Sequence, residues 1–176
     1  MAFGNQKSSN KAPIPATPQS RSTFDPYEAT AAADGQYGGV YPLVGLYPLL
    51  YVDVLKIHDG FKGMSFIAEF EILQSNVPER PAGTRMNIAL NYKWIVTPGI
   101  VKSFIAAVAN EPIQNLEADD IRKACSAENP AHGRLVRLEA ARPASPEAKY
   151  LVYNWTVIPD SIQETAETLR KEAGFI

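Results

Sequence analysis

The chain has 176 residues, with 17 Lys and Arg against 19 Asp and Glu for a formal net charge of −2, which suits one ordinary domain with appendages and a core that needs no staples. The balance, with a pI near 5.7, argues against a globally basic nucleic-acid binder while leaving local basic patches open. A lone cysteine, Cys125, excludes an internal disulfide framework and a cysteine-cluster metal site, and neither a run of about 18 apolar residues nor an apolar signal core is present, so a cytoplasmic, non-membrane protein is expected.

Residues 1–34 are rich in Ser, Pro, Ala, Gln and Asn, with Pro13, Pro15 and Pro18 closely spaced. Such a composition cannot bury enough surface to offset chain entropy, and a disordered arm is expected. If the arm orders on a partner, Phe24, Asp25, Pro26 and Tyr27 are its anchor. A Gly/Tyr-rich lead-in follows, with Tyr37 and Tyr41 placed to pack back on the domain.

A first strand is expected over 46–58, where Leu50, Val52 and Val54 alternate with Tyr51, Asp53 and Leu55. Asp59 and Gly60 head a turn that makes a hairpin with the next strand. That strand, 64–75, carries Met64, Phe66, Ala68, Phe70 and Ile72 on alternate positions, the period of a pleated strand, and is expected at the centre of the fold. A Pro/Gly loop leads to a third strand over 84–96. There Met86, Ile88, Leu90, Tyr92 and Trp94 form one face and Arg85, Asn87, Ala89, Asn91 and Lys93 the other, implying one buried and one wet side.

Thr97 as N-cap and Pro98 at the first helical position open a helix, with Ile100, Val101, Phe104, Ile105 and Val108 as its apolar stripe. A second short helix is expected over 117–127, with Cys125 as a small core residue on its apolar side. Strands over 134–141 and 149–157 follow, the latter with Leu151, Tyr153, Trp155 and Val157 on one side. A last helix over 160–173 is capped by Asp160 and stopped by Gly174.

Short connections imply antiparallel pairing. Five short strands with a helix between the third and fourth have the order of an OB-fold barrel. The expected class is therefore mostly β with helices (α+β): a five-stranded OB-fold-like barrel over 35–158, with a helical insertion between strands 3 and 4 and a C-terminal helix over 159–176. An open antiparallel sheet with helices on one face is the alternative.

The run G-L-Y-P-L-L-Y-V-D-V-L-K, the turn at Gly63, the run F-I-A-E-F-E-I-L-Q-S-N-V-P-E-R-P-A-G-T-R and I-V-K-S-F-I-A-A-V-A resemble a group of small tailed-phage proteins. Some of these are described as single-stranded DNA-binding. The resemblance covers roughly residues 45–155, without the arm or the terminal helix. It implies an OB-type binder acting in phage DNA replication or recombination, in the host cytoplasm.

Single-strand binding needs a basic groove and exposed aromatic rings, which an OB barrel supplies from its second and third strands and two hairpin loops. The matching residues are Phe61 and Lys62 on the first hairpin; Arg85, Asn87, Asn91 and Lys93 on the third strand; Arg134 and Arg137 on the fourth; and Arg142, Lys149 and Tyr150 at the last hairpin. Phe61 and Tyr150 are the best stacking candidates. Against this, Arg85 and Lys93 could pair across strands with Glu71 or Glu69, and Phe66, Phe70, Tyr92, Trp94, Tyr153 and Trp155 read as core by their alternation. His58 and His132 fall on loops without ligand partners at metal spacing. No nucleophile elbow or phosphate-cradling loop is present, so no catalytic residue, cofactor or metal is expected.

The expected partner is single-stranded DNA without sequence preference. A structural or assembly protein of a phage particle is the other reading, with protein contacts through residues 1–34, or through Phe175 and Ile176, and possible homo-oligomers.

Overall fold

The computed structural model describes residues 40–145, 147 and 150–175; the expected N-terminal arm and Lys149 lie outside these. Five strands form one antiparallel sheet: β1 (Gly45–Gly60), β2 (Gly63–Gln74), β3 (Arg85–Asn91), β4 (Leu135–Ala141) and β5 (Val152–Val157), in the order β3-β2-β1-β4-β5. The centre is therefore β1, and not the 64–75 strand expected there. It is the longest strand and bonds β2 along one edge and β4 along the other. The expected barrel is not closed, since no ladder joins β3 to β5.

The open sheet is strongly curled nonetheless. β2 and β5 stand three strand spacings apart, about 14 Å across a flat sheet. Yet Phe70 of β2 and Trp155 of β5 stack with ring centroids 5.7 Å apart. The register of β1 supplies the bend. It slips against β2 between Leu49 and Leu50 and between Val52 and Val54, and against β4 between Tyr47 and Leu50; such irregularities kink a strand and raise its twist. The carbonyl of Asp53, at one slip, accepts from Asn129 Nδ2 at 2.7 Å and lies 2.9 Å from His132 Nδ1.

The lead-in bonds to the free edge of β3. Asn87 of β3 donates its N–H to the Val40 carbonyl at 3.1 Å. Burial, and then the nearby phenols of Tyr41 and Tyr47, push the Tyr153 hydroxyl of β5 upward.

On the inner side of the curl lies the main core. Helix α1 (Thr97–Ala109) buries Val101, Phe104, Ile105 and Val108, the i, i+3, i+4, i+7 stripe expected of it. Phe104 packs edge-on to Phe66, Phe70 and Trp155, at 5.8, 5.7 and 4.6 Å between centroids. Met86, Ile88, Leu90, Val136, Leu138 and Ala140 complete this core, with Cys125 packed at its margin. A short 3-10 turn (Ile113–Asn115) and α2 (Ala118–Ala124) follow α1; Glu117 and Asp120 form the capping box of α2, which fixes where it starts.

A second, smaller core sits on the outer side. Leu49, Tyr51, Leu73, Leu135 and Ile158 meet Ala166, with Leu169, Ala173 and Phe175 against them. The single C-terminal helix expected over 160–173 is two short ones, α3 (Asp160–Gln163) and α4 (Ala166–Glu172), and the N-cap is Pro159 rather than Asp160. Gln163 explains the break: its side chain bonds both the N–H and the carbonyl of Leu135, each at 2.7 Å, pinning the first turn to β4. Helices therefore cover both faces of the sheet, not one. Phe175 packs on this outer core instead of standing free for a partner. Among the described residues, no helix is long and apolar enough to cross a membrane.

The third strand ends at Asn91, five residues earlier than expected. Asn91 Oδ1 accepts the N–H of Lys93 at 2.8 Å, and its carbonyl accepts from Trp94 N at 3.0 Å and Thr97 Oγ1 at 2.8 Å. These local bonds replace the ladder, and an asparagine side chain commonly starts a turn this way. The turn buries Thr97 completely and moves the N-cap of α1 from Thr97 to Val96.

Candidate nucleic-acid interface

Of the eleven residues expected to form the binding surface, the ten described ones do not form one patch. Antiparallel register puts the β1–β2 hairpin at the Gly60 end of β1, while Gly45, at its other end, pairs with Ala140. Arg142 and Tyr150, both exposed and in the β4–β5 connection, therefore lie at the opposite end of β1 from Phe61 and Lys62. Arg134 is half-buried and donates from Nε to the Val108 carbonyl at 3.2 Å, closing the end of α1. Arg137 is exposed on β4 opposite Thr156.

Arg85 is neutralised. It pairs across strands with Glu71, NH2 to Oε1 at 3.0 Å, and NH1 approaches Asp53 Oδ2 at 3.9 Å. Glu71 is completely buried and takes a second guanidinium, Arg170 of α4, through Nε to Oε2 and NH2 to Oε1, the latter at 3.1 Å. Arg170 lies over the Tyr51 ring at 5.0 Å, while Tyr51 donates its hydroxyl to Glu167 at 2.7 Å and stands 3.3 Å from His132 Nε2. The middle of the outer sheet face is thus a polar network that latches α4, with no cation left over for a phosphate. Asn87, half-buried beside it, spends its N–H on the lead-in.

Two groups, Tyr51 in this network and Cys125 at the margin of the inner core, have a pH consequence. Burial, then the hydrogen bond to Glu167, pushes the Tyr51 phenol from 10.0 up to about 12, and burial pushes the Cys125 thiol from 9.0 up to about 11. In both cases the folded state holds its proton more tightly than the unfolded chain. The stabilisation is fully present below pH 9 and is lost as pH rises through 9–12. Urea midpoints are expected to fall across that window, and Tyr51→Phe should remove the part above pH 10.

Four of the expected residues are brought together: Phe61, Lys62, Asn91 and Lys93. Gly60 pairs with Gly63, leaving Phe61 and Lys62 as a two-residue turn that Gly63 closes at φ 94°. The Phe61 side chain is fully exposed. Beside it lies the β3–α1 turn: Asn91 Nδ2 donates to the Lys62 carbonyl at 3.1 Å, Tyr92 N–H donates to Met64 O at 3.0 Å, and a Cβ on Gly63 would stand 3.1 Å from Lys93 Cε. Trp94 on this turn is 56 % exposed and Ile95 96 % exposed. The alternation that assigns Trp94 to the core runs past the true strand end, so the ring turns outward. The only sequence cue was Asn91, a turn-forming residue inside an apparently regular strand. Among the described residues, no acid lies within 4 Å of the Lys62 or Lys93 ammonium; the pairing expected for Lys93 is absent, and Glu69 takes Lys56 instead, at 3.3 Å.

No protein-family model matches the chain, and no curated protein matches it significantly.

Proposed function

We propose that the protein is a non-catalytic, OB-type binder of single-stranded DNA, serving phage replication or recombination. The observation that carries this reading is the hairpin tip: a fully exposed aromatic ring, Phe61, beside Lys62, which has no acidic partner among the described residues, on the first hairpin of a curled five-stranded sheet. A stacking ring next to a phosphate partner is what sequence-tolerant single-strand binding requires. The strand order supports it, because β1 between β2 and β4 is the OB arrangement, and OB barrels are often partly open. The likeness to small tailed-phage proteins points the same way.

The test is a fluorescence-anisotropy titration of the full chain with labelled oligothymidine. Saturable binding is expected, with log K falling linearly with log salt at a slope of about −0.7 per phosphate neutralised, and duplex DNA of equal length should compete poorly. Folded protein that fails to bind at low salt removes the reading. An oligouridine arm separates DNA from RNA preference.

The alternative, a structural or assembly protein, is favoured by the apolar residues around the same tip: Ile57, Met64 and Ile95 are all exposed. In that case the oligonucleotide titration is flat, and polar substitution at Ile95 abolishes self-association or capture of a phage structural protein.

A further inference from the structure

Resting on the reading of the protein as a single-strand binder, we infer that its site is bipartite, with the β3–α1 turn as its second wall and Asn91 as the residue that holds the two walls together. The single strand crosses the end of the sheet, with bases on Phe61 and Trp94 and phosphates on Lys62 and Lys93. The broad face of β3 takes no part.

Three observations converge. First, each wall carries an exposed ring and an adjacent lysine with no acidic partner among the described residues: Phe61 and Lys62 on one, Lys93 and Trp94 on the other. A solvent-facing tryptophan costs apolar surface in water, about 25 cal/mol per Å², so an isolated protein gains nothing from presenting it. Second, one side chain joins the walls. Asn91 donates through Nδ2 to the Lys62 carbonyl and accepts through Oδ1 from the Lys93 N–H. It thereby bonds the backbone of both lysines and sets the separation of the rings that follow and precede them. A preformed pair of platforms avoids the ordering cost that two free loops would incur on binding. Third, the cation on the broad face of β3 is used up, because Arg85 is committed to Glu71 and Asp53.

Asn91 is a positioning residue in this scheme and touches no base. Asn91→Asp keeps the acceptor for Lys93 N–H and loses the donor to Lys62, so it loosens one wall and adds a negative charge between two phosphate partners. Asn91→Ser retains a short turn-forming side chain without the bridge.

The experiment uses the full-length chain and labelled oligothymidine, with circular dichroism confirming that each variant is folded. Trp94→Ala and Phe61→Ala should each weaken binding by roughly 5- to 100-fold, the range found when a stacking ring is removed. Lys93→Gln should lower the salt slope by about one contact. Trp94 fluorescence should quench on binding and the quench should vanish in Trp94→Phe, leaving only Trp155, half-buried against the inner core. Asn91→Ser should weaken binding without changing the salt slope, since both lysines remain. Arg137→Gln, on β4, should bind as the wild type does. The bipartite site is overturned if the wild type binds normally while Trp94→Ala and Asn91→Ser match it, or if Arg137→Gln and Arg142→Gln carry the loss instead. A wild type that binds no oligonucleotide overturns the functional reading, and this proposal with it, before any variant is compared.

Discussion

Glu71→Ala is expected to destabilise the fold by about 3–5 kcal/mol, the cost of removing one partner from a buried ion pair. Glu71 is wholly buried and accepts from both Arg85 and Arg170. The two arginines differ in what they can do once it is gone. The Arg85 side chain is largely exposed and can turn to water, whereas Arg170 is mostly covered by α4 and Tyr51. It keeps its charge in the variant, because a guanidinium does not lose its proton at any accessible pH. Only the exposed Glu167, 3.8 Å away, is left to face it, so loss of the buried counter-charge is the main penalty, and α4 should lift from the sheet. The urea midpoint reports the loss, and an unchanged m-value would show that the unfolded state is not the cause. The double variant Glu71→Leu, Arg170→Met should recover most of it, because apolar replacement of a buried pair is often neutral or better. If Glu71→Ala proves as stable as the wild type, the latch contributes nothing.

Phe104→Ala should cost about 3–5 kcal/mol, as truncation of a fully buried phenylalanine does. This ring is where the curled sheet meets its helix, touching Phe66 and Phe70 from β2 and Trp155 from β5. Because no ladder joins β3 to β5, the curl is held from inside by these rings, and α1 cannot shift to fill the space without tearing its whole stripe from the core. Phe104→Leu keeps part of the volume and should lose less than half as much. In a Trp94→Phe background, where Trp155 is the sole emitter, Phe104→Ala should also shift emission to the red as water reaches the indole. An unshifted spectrum with full stability would mean that the backbone alone sustains the curl.

Much of the architecture could be read along the chain. Met86, Ile88 and Leu90 alternate with Arg85, Asn87 and Ala89 as buried and less buried positions. The α1 stripe and the first hairpin also stand where their patterns put them. Periodicity reports which side of an element is apolar, and that is a property of neighbours in sequence. The same signal misjudged Trp94, because it continued through Asn91 while the hydrogen bonds of that side chain had already turned the chain. Four of the candidate binding residues come together, and the other described ones are scattered by the register.

By itself, the amino-acid order determined that this would be an antiparallel, helix-capped β domain with an aromatic hairpin tip, since alternation, helical stripes and turn residues act over a few positions. Only the tertiary structure decided that β1 lies at the centre, that the sheet curls without closing, and that the carboxylate paired with Arg85 is buried and shared with Arg170. Those outcomes depend on contacts between distant parts of the chain, of which Glu71 and Arg170, 99 residues apart, are the clearest case: a charge has no sequence mark that says which partner will cover it.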